Sequence, residues 1–217
     1  MAQQQDRALF PLADHFAYPE QQVEAGKMGM WLFLATEILF FGGLFVAYTI
    51  YNWAHPELFQ EEHKFLNVRL GAINTVVLLF SSLTVVLAIH AIQQDKKKTA
   101  VINLAITILC AVVFLIIKYF EYQHKIHAGL LPGLFFTNAE LSNPDQIHIF
   151  FGVYFLLTGL HGIHVVIGIG VLVWIMLRTI KGDFSSQYYL PMECSGLYWH
   201  LVDVIWIFLF PLLYLIA

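Results

Sequence analysis

Apolar residues fall into five long blocks, separated by short polar stretches. The blocks run about Met30–Ile50, Leu70–Ile92, Ala100–Phe120, Ile147–Leu177 and Leu197–Ile216. A bilayer core about 30 Å thick takes roughly 20 apolar residues in a helix to cross, and each block is long enough. The second contains no Asp, Glu, Lys or Arg after Arg69. Neither the strand-like alternation nor the roughly ten-residue rhythm of an outer-membrane barrel is present. Hydrocarbon offers the backbone no water to bond, so helices are the remaining way across. The predicted fold is an all-α integral membrane protein, a bundle of five transmembrane helices over residues 29–217. A polar arm over residues 1–28, with Asp6, Arg7, Asp14, Glu20, Glu24 and Lys27, is expected to precede it, with no secretory signal ahead of the first block.

Composition agrees with the pattern: 59% of the 217 residues are hydrophobic and 12% charged. A soluble domain is about half apolar and about a quarter charged. The net charge of −4 offers no basic field for nucleic acid, which excludes that class of partner. Cys110 and Cys194 make no disulfide framework, and Cys110 reads as a small hydrophobe inside a span. Lys and Arg in short loops set orientation. With a cytoplasmic N-terminus that side holds Arg7, Lys27, Lys96, Lys97, Lys98, Arg178 and Lys181, against Lys64, Arg69, Lys118 and Lys125 opposite. The "DKKK" run at 95–98 dominates, so five spans place the C-terminus on the periplasmic side. The longest connection, about Glu121–Gln146, is expected to lie along the outer surface. No internal repeat or pair of broken spans suggests a transporter.

Polar residues inside spans are where function is expected. Glu37 lies about eight residues into the first span, on a face with Met30, Phe33, Phe41, Leu44 and Tyr48. It could be a neutral acid bonded to a neighbouring helix, a proton-relay station, a regulatory contact near a proton entry or a metal ligand. "TGLHGIHVVIGIG" (Thr158–Gly170) puts His161 and His164 near the centre of the fourth span, three apart and so on one face. Gly168 lies between them in angle. Gly152, Gly159 and Gly170 run on nearly the opposite face, as packing residues that let another helix approach. Polar and small faces on both sides predict an inner helix.

A haem held by two histidines would draw one from each of two helices at equal depth. His200 and His90 read as span-end residues, and His124 and His127 as outside, so depths do not match. A hydrogen-bonded contact between Glu37 and the histidine pair fits better. In "LYWHLVDVIWIFLF" (Leu197–Phe210) the residues Trp199, Asp203, Trp206 and Phe210 share a face, with His200 three before Asp203. This suggests an interfacial aromatic belt with a local His–Asp bond, or a lipid or partner-subunit contact through Trp199, His200 and Asp203. No metal-ligand cluster, nucleophile with its base or phosphate loop occurs, so no catalytic centre is expected in the chain.

Three stretches resemble subunit III of the haem-copper oxidases, the cytochrome c oxidase family, in its short five-helix bacterial form. They are "GMWLFLATEILFFGGLFVAY" (Gly29–Tyr48), "TGLHGIHVVIG" (Thr158–Gly168) and "LYWHLVDVIWIFLF" (Leu197–Phe210); a weaker fourth is "FEYQHKI" (Phe120–Ile126). The resemblance implies a subunit with no haem or copper of its own. Haem, copper and proton pathways would lie in subunit I, and subunit II, which receives electrons, is where a further copper site is looked for. Subunit III would pack on subunit I, bind phospholipid, and support proton uptake and lasting activity. Subunits I and II are the implied partners, with cytochrome c reached through the complex; a fourth subunit and a respiratory supercomplex stay open. Glu37 matches the family's intramembrane carboxylate, His161 and His164 its paired histidines, and Trp199, His200 and Asp203 its last-helix motif.

The long family form has two further helices ahead of these five, and often paired histidines where this chain has only His90. The implied location is a bacterial cytoplasmic membrane. The Thr36–Glu37 pair leans toward the cytochrome c branch, where quinol relatives often carry Asp. A quinol oxidase subunit is therefore the nearest rival, and a haem-binding electron carrier or stand-alone proton channel the rival from another class.

Overall fold

The computed structural model describes residues 13–14, 16–62, 66–131 and 144–215, with six helices in order: α1 Pro19–Ala54, α2 Pro56–Glu62, α3 Val68–Gln93, α4 Lys97–His127, α5 Pro144–Lys181 and α6 Leu190–Tyr214. Among the described residues five of these, all but α2, are long and apolar enough to cross a membrane. The five predicted spans are thus present, and each helix runs beyond its apolar block, the last only at its N-terminal end.

The extensions have local causes. Proline in the first turn starts α1, where its fixed φ suits a helix and its missing N–H costs nothing. Residues 19–28 of the predicted polar arm are therefore helical. Asn67 caps α3, its side-chain oxygen accepting from Arg69 N at 3.1 Å and Leu70 N at 3.2 Å. Gly129 (φ +70°) and Gly182 (φ +92°) take the left-handed conformation just past α4 and α5. There Leu130 N reaches Lys125 O at 3.1 Å and Asp183 N reaches Arg178 O at 3.2 Å, so both ends close as glycine-terminated caps. The stretch 121–127, predicted to be surface loop, is the last two turns of α4. Of the rest of that predicted loop, 132–143 lie outside the described residues and 144–146 already belong to α5.

Helices α3, α4, α5 and α6 form a ring in which each packs on its neighbours, and α1 docks outside it on α6 and α5. The short α2 carries Phe59 into a stack, 5.3 Å from Tyr48 of α1 and 5.1 Å from Phe150 of α5 between ring centroids. The most buried span is α6, not α5 as the glycine pattern suggested. The reason is side-chain size: the indoles of Trp199 and Trp206, both with no exposed surface, fill the ring interior from α6.

Candidate functional site

Glu37 and the histidine pair do face each other, but only one histidine makes the contact. His164 Nε2 lies 3.0 Å from Glu37 Oε2, joining α5 to α1, while His164 Nδ1 lies 2.8 Å from Leu160 O. A carbonyl only accepts, so Nδ1 carries a hydrogen and donates to it. Phe41 packs edge-on against the imidazole at 5.1 Å. The pair retains 16% and 18% side-chain exposure, so it sits at the outer α1–α5 seam rather than in the ring interior.

His161, one turn earlier, points into the ring and has no exposed surface. It lies between Phe114 (5.6 Å, edge-on) and Trp206 (5.3 Å), and neither ring nitrogen has a hydrogen-bond partner among the described residues. The expected cross-helix bond is thus made by His164 and not by His161. The 100° advance per residue separates them by about 300°, close on a helical wheel yet far enough to put one in the seam and one in the core.

The last-helix motif departs further from expectation. Because α6 begins at Leu190, His200 lies about 15 Å along it, deep in the span rather than near its end. Trp199 and Trp206 are core residues and no aromatic belt, their indole N–H groups donating to Ser81 Oγ and Thr75 Oγ1 of α3, each at 3.0 Å. His200 Nδ1 pairs with Ser82 Oγ at 2.6 Å, so the local His–Asp bond is not formed. Asp203, 2% exposed, makes no side-chain hydrogen bond of good geometry among the described residues; the Ser82 hydroxyl is its polar neighbour. Hydroxyls along α3 therefore hold α6 in place, as small polar groups do between membrane helices. Trp199 and Asp203 are buried within this chain.

The glycine stripe is also reassigned. Gly170 has open space where a side chain would be, Gly159 has only the Tyr122 hydroxyl at 3.9 Å from a would-be Cβ, and Gly152 is half-buried. Close approach occurs at Gly168 instead, where a Cβ would stand 2.8 Å from the Trp199 ring.

A charged cluster went unforeseen. Lys118, Glu121 and Lys125 occupy one face of α4 and are 8%, 5% and 2% exposed. Glu121 accepts hydrogen bonds from Lys118 (2.9 Å), Lys125 (2.9 Å), Tyr154 of α5 (3.0 Å) and Tyr214 of α6 (2.5 Å). Lys118 also donates to the Tyr214 hydroxyl at 2.8 Å and stands 4.6 Å above the Trp206 ring. Buried ions cost several kcal/mol each unless well paired, and this cluster answers nearly every donor and acceptor. Treating both lysines as outer-loop charges hid it. The signal was available: positions 118, 121 and 125 repeat at helical spacing, so the helix had to continue past Phe120.

At the opposite end of the ring, Asp95 in the α3–α4 turn accepts from the Ser186 backbone N–H of the α5–α6 connection at 2.8 Å. That bond holds the exposed Asp95 carboxyl below the usual carboxylate range. Lys27 of α1 reaches Glu193 of α6 at 3.2 Å on the same side. Among the described residues no three His, Cys, Asp or Glu side chains gather as metal ligands would.

Five spans, joined by polar bonds between helices, define a polytopic membrane protein. The model of the family described as cytochrome c oxidase subunit III matches residues 13–217, and the chain belongs to that family. It is 31% identical over 208 residues to a probable cytochrome c oxidase subunit 3 of Rickettsia conorii, covering 87% of this chain and 66% of that protein. It is 33% identical over 202 residues to quinol oxidase subunit 3 of Bacillus spizizenii, covering 91% and 92%. A haem-copper oxidase subunit I+III of Aeropyrum pernix is 27% identical over 209 residues, or 94% of this chain and 24% of that longer protein. The chain thus spans about two-thirds of the first relative and about a quarter of the last.

Proposed function

We propose that this chain is subunit III of a bacterial aerobic terminal oxidase that takes electrons from cytochrome c, reduces oxygen and moves protons. It lies in the cytoplasmic membrane with its N-terminus cytoplasmic. Haem and copper belong to subunit I, with subunit II as the electron entry, and this chain stabilises subunit I and its proton-input region. The observation that carries the reading is the family match over the whole bundle, 13–217. The Aeropyrum relative, named as subunits I and III in one protein, supports contact with subunit I. Orientation gains support from the burial of Lys118 and Lys125, which removes them from the loop charges and leaves Lys64 and Arg69 against seven on the other side. The face offered to subunit I or lipid is that of α1, where Trp31, Leu39 and Trp53 are 63%, 76% and 85% exposed.

The test is to purify the oxidase with and without this chain and follow oxygen consumption through successive turnovers. The depleted enzyme is expected to start at a comparable rate and inactivate several-fold sooner; equal lifetimes would end the proposal. A second reading, the quinol oxidase subunit, is favoured by the Bacillus relative, which this chain covers almost end to end. Oxidation of reduced cytochrome c by the purified complex supports the first donor, and oxidation of quinol alone the second.

A further inference from the structure

Three polar side chains on three helices are buried with no side-chain polar atom bonded among the described residues: Asn74 of α3, His161 of α5 and Asp203 of α6. Asn74 and His161 have no exposed surface at all. The bundle otherwise answers its buried polar groups, as the Glu121 cluster and the indoles of α6 show. The three exceptions share one thin layer. Bonds between Thr75 and Trp206, Ser81 and Trp199, and Ser82 and His200 fix the antiparallel register of α3 and α6. Asn74 is thereby level with Trp206, against which His161 also packs at 5.3 Å. Asp203 follows within a turn, so all three fall within about 6 Å along the bundle axis. Asn74 belongs to the face of α3 that buries Leu78, Ser81 and Val85 and so points into the ring, as His161 does from α5.

The chemistry of these atoms selects the occupant. Unanswered, each would weigh against folding in a setting with no bulk water. The Asn74 amide supplies donors and a carbonyl acceptor, a neutral imidazole one donor and one acceptor, and the Asp203 carboxyl two oxygens. An anion would leave the carbonyl and carboxyl oxygens unanswered. A metal ion would want several acceptors together, and among the described residues no three His, Cys, Asp or Glu side chains gather that way. Hydrocarbon would answer none of them. Water both donates and accepts, and a buried water makes about three hydrogen bonds to groups that have no other partner.

We propose that the ring interior binds ordered water between Asn74, His161 and Asp203, a small hydrated layer enclosed within the span. Trp199, seated on Gly168, closes it on one side, and the Glu121 cluster with Lys118 and Tyr214 closes it on the other. The water gives α3, α5 and α6 a shared polar contact that these three side chains do not make directly. Its hydrogen bonds are partly offset by the entropy lost in holding it, so shedding it need not move the thermal midpoint. The site does not rest on the oxidase reading, and its test reads water rather than turnover, so failure here leaves that reading untouched.

Crystals of the purified complex, grown with bromide in place of chloride, are measured at a resolution that shows ordered water. The expected result is a density peak about 2.7–3.2 Å from polar atoms of at least two of the three side chains, with no anomalous signal. A layer with no such peak overturns the proposal, and so does a peak that anomalous scattering assigns to bromide. X-ray radiolysis gives a second readout, since it generates hydroxyl radical from water where the water is bound. Trp206 is expected to be oxidised in the intact complex although its indole has no exposed surface. Replacing two of the polar groups together, Asn74→Leu with His161→Leu, should lower that oxidation several-fold and leave the exposed Tyr18 as reactive as before. Equal oxidation of Trp206 in both proteins would count against bound water and overturn the proposal. If the double variant does not assemble, the crystal structure of the unaltered protein decides alone.

Discussion

His161 and His164 show how much one helical turn decides. Both are imidazoles at nearly the same depth, yet His164 bonds to Glu37 and Leu160 O while His161 sits between two aromatic rings with neither nitrogen paired among the described residues. An unpaired polar group in a core costs about 1–3 kcal/mol, and replacing it with an apolar group of similar size recovers part of that. His161→Leu is therefore expected to leave the thermal midpoint of the purified chain unchanged or to raise it. A clear drop in a detergent melting curve would mean that the ring has a role that its surroundings do not show. The two-histidine pattern was legible in the sequence as a polar stripe. Which histidine met the glutamate was not, because their angular separation is smaller than the arc that a neighbouring helix covers.

At the scale of the helices, packing depends on a few positions where large and small side chains face each other. Trp199 of α6 lies over Gly168 of α5 and is held there by its bond to Ser81. A methyl group on Gly168 would stand 2.8 Å from the ring, which has no exposed surface. Gly168→Ala should cost about 1–3 kcal/mol of stability, the usual penalty for overpacking. Gly162→Ala, on the same helix but in open space, should instead gain up to about 1 kcal/mol from better helix propensity. Unfolding both variants side by side checks this; equal effects would show that the α5–α6 contact is looser than drawn. The existence of the five helices followed from apolar run length, since every backbone group in hydrocarbon must bond within its own segment. Their ends did not, because α4 carries Lys118, Glu121 and Lys125 inward and so continues through residues that charge alone marks as outside. The last helix was likewise drawn too short at its start, which placed His200 and Asp203 near its end rather than ten and more residues into it.

In the whole molecule two polar devices fasten the ends of the bundle. At one end the Glu121 cluster joins α4, α5 and α6; at the other the Asp95–Ser186 bond joins the α3–α4 turn to the α5–α6 connection. Only the second is exposed to solvent and open to titration from it. Because the folded-state pKa of Asp95 is depressed, its contribution is fully present above the ordinary carboxylate value near 3.9 and is lost as pH falls through the lower folded value. Protection of the Ser186 amide from hydrogen exchange, after correction for intrinsic rates, should therefore hold from neutral pH down to about 4 and fall below it. In Asp95→Asn that step should vanish, since the amide oxygen still accepts but no longer titrates. A step that persists in the variant would assign the titration to another group.

The sequence by itself determined the number of spans and the family, because those depend on composition and local pattern. Tertiary structure alone decided which polar residues meet. Glu121 gathers partners from residues 118, 125, 154 and 214, and the indoles of α6 find hydroxyls on α3 more than a hundred positions away. In a membrane interior almost every span is apolar all round, so hydrophobic periodicity carries little information about which face turns inward. The choice is made by cross-helix bonds and by the fit of indole against glycine, and those become definite only once the helices are packed together.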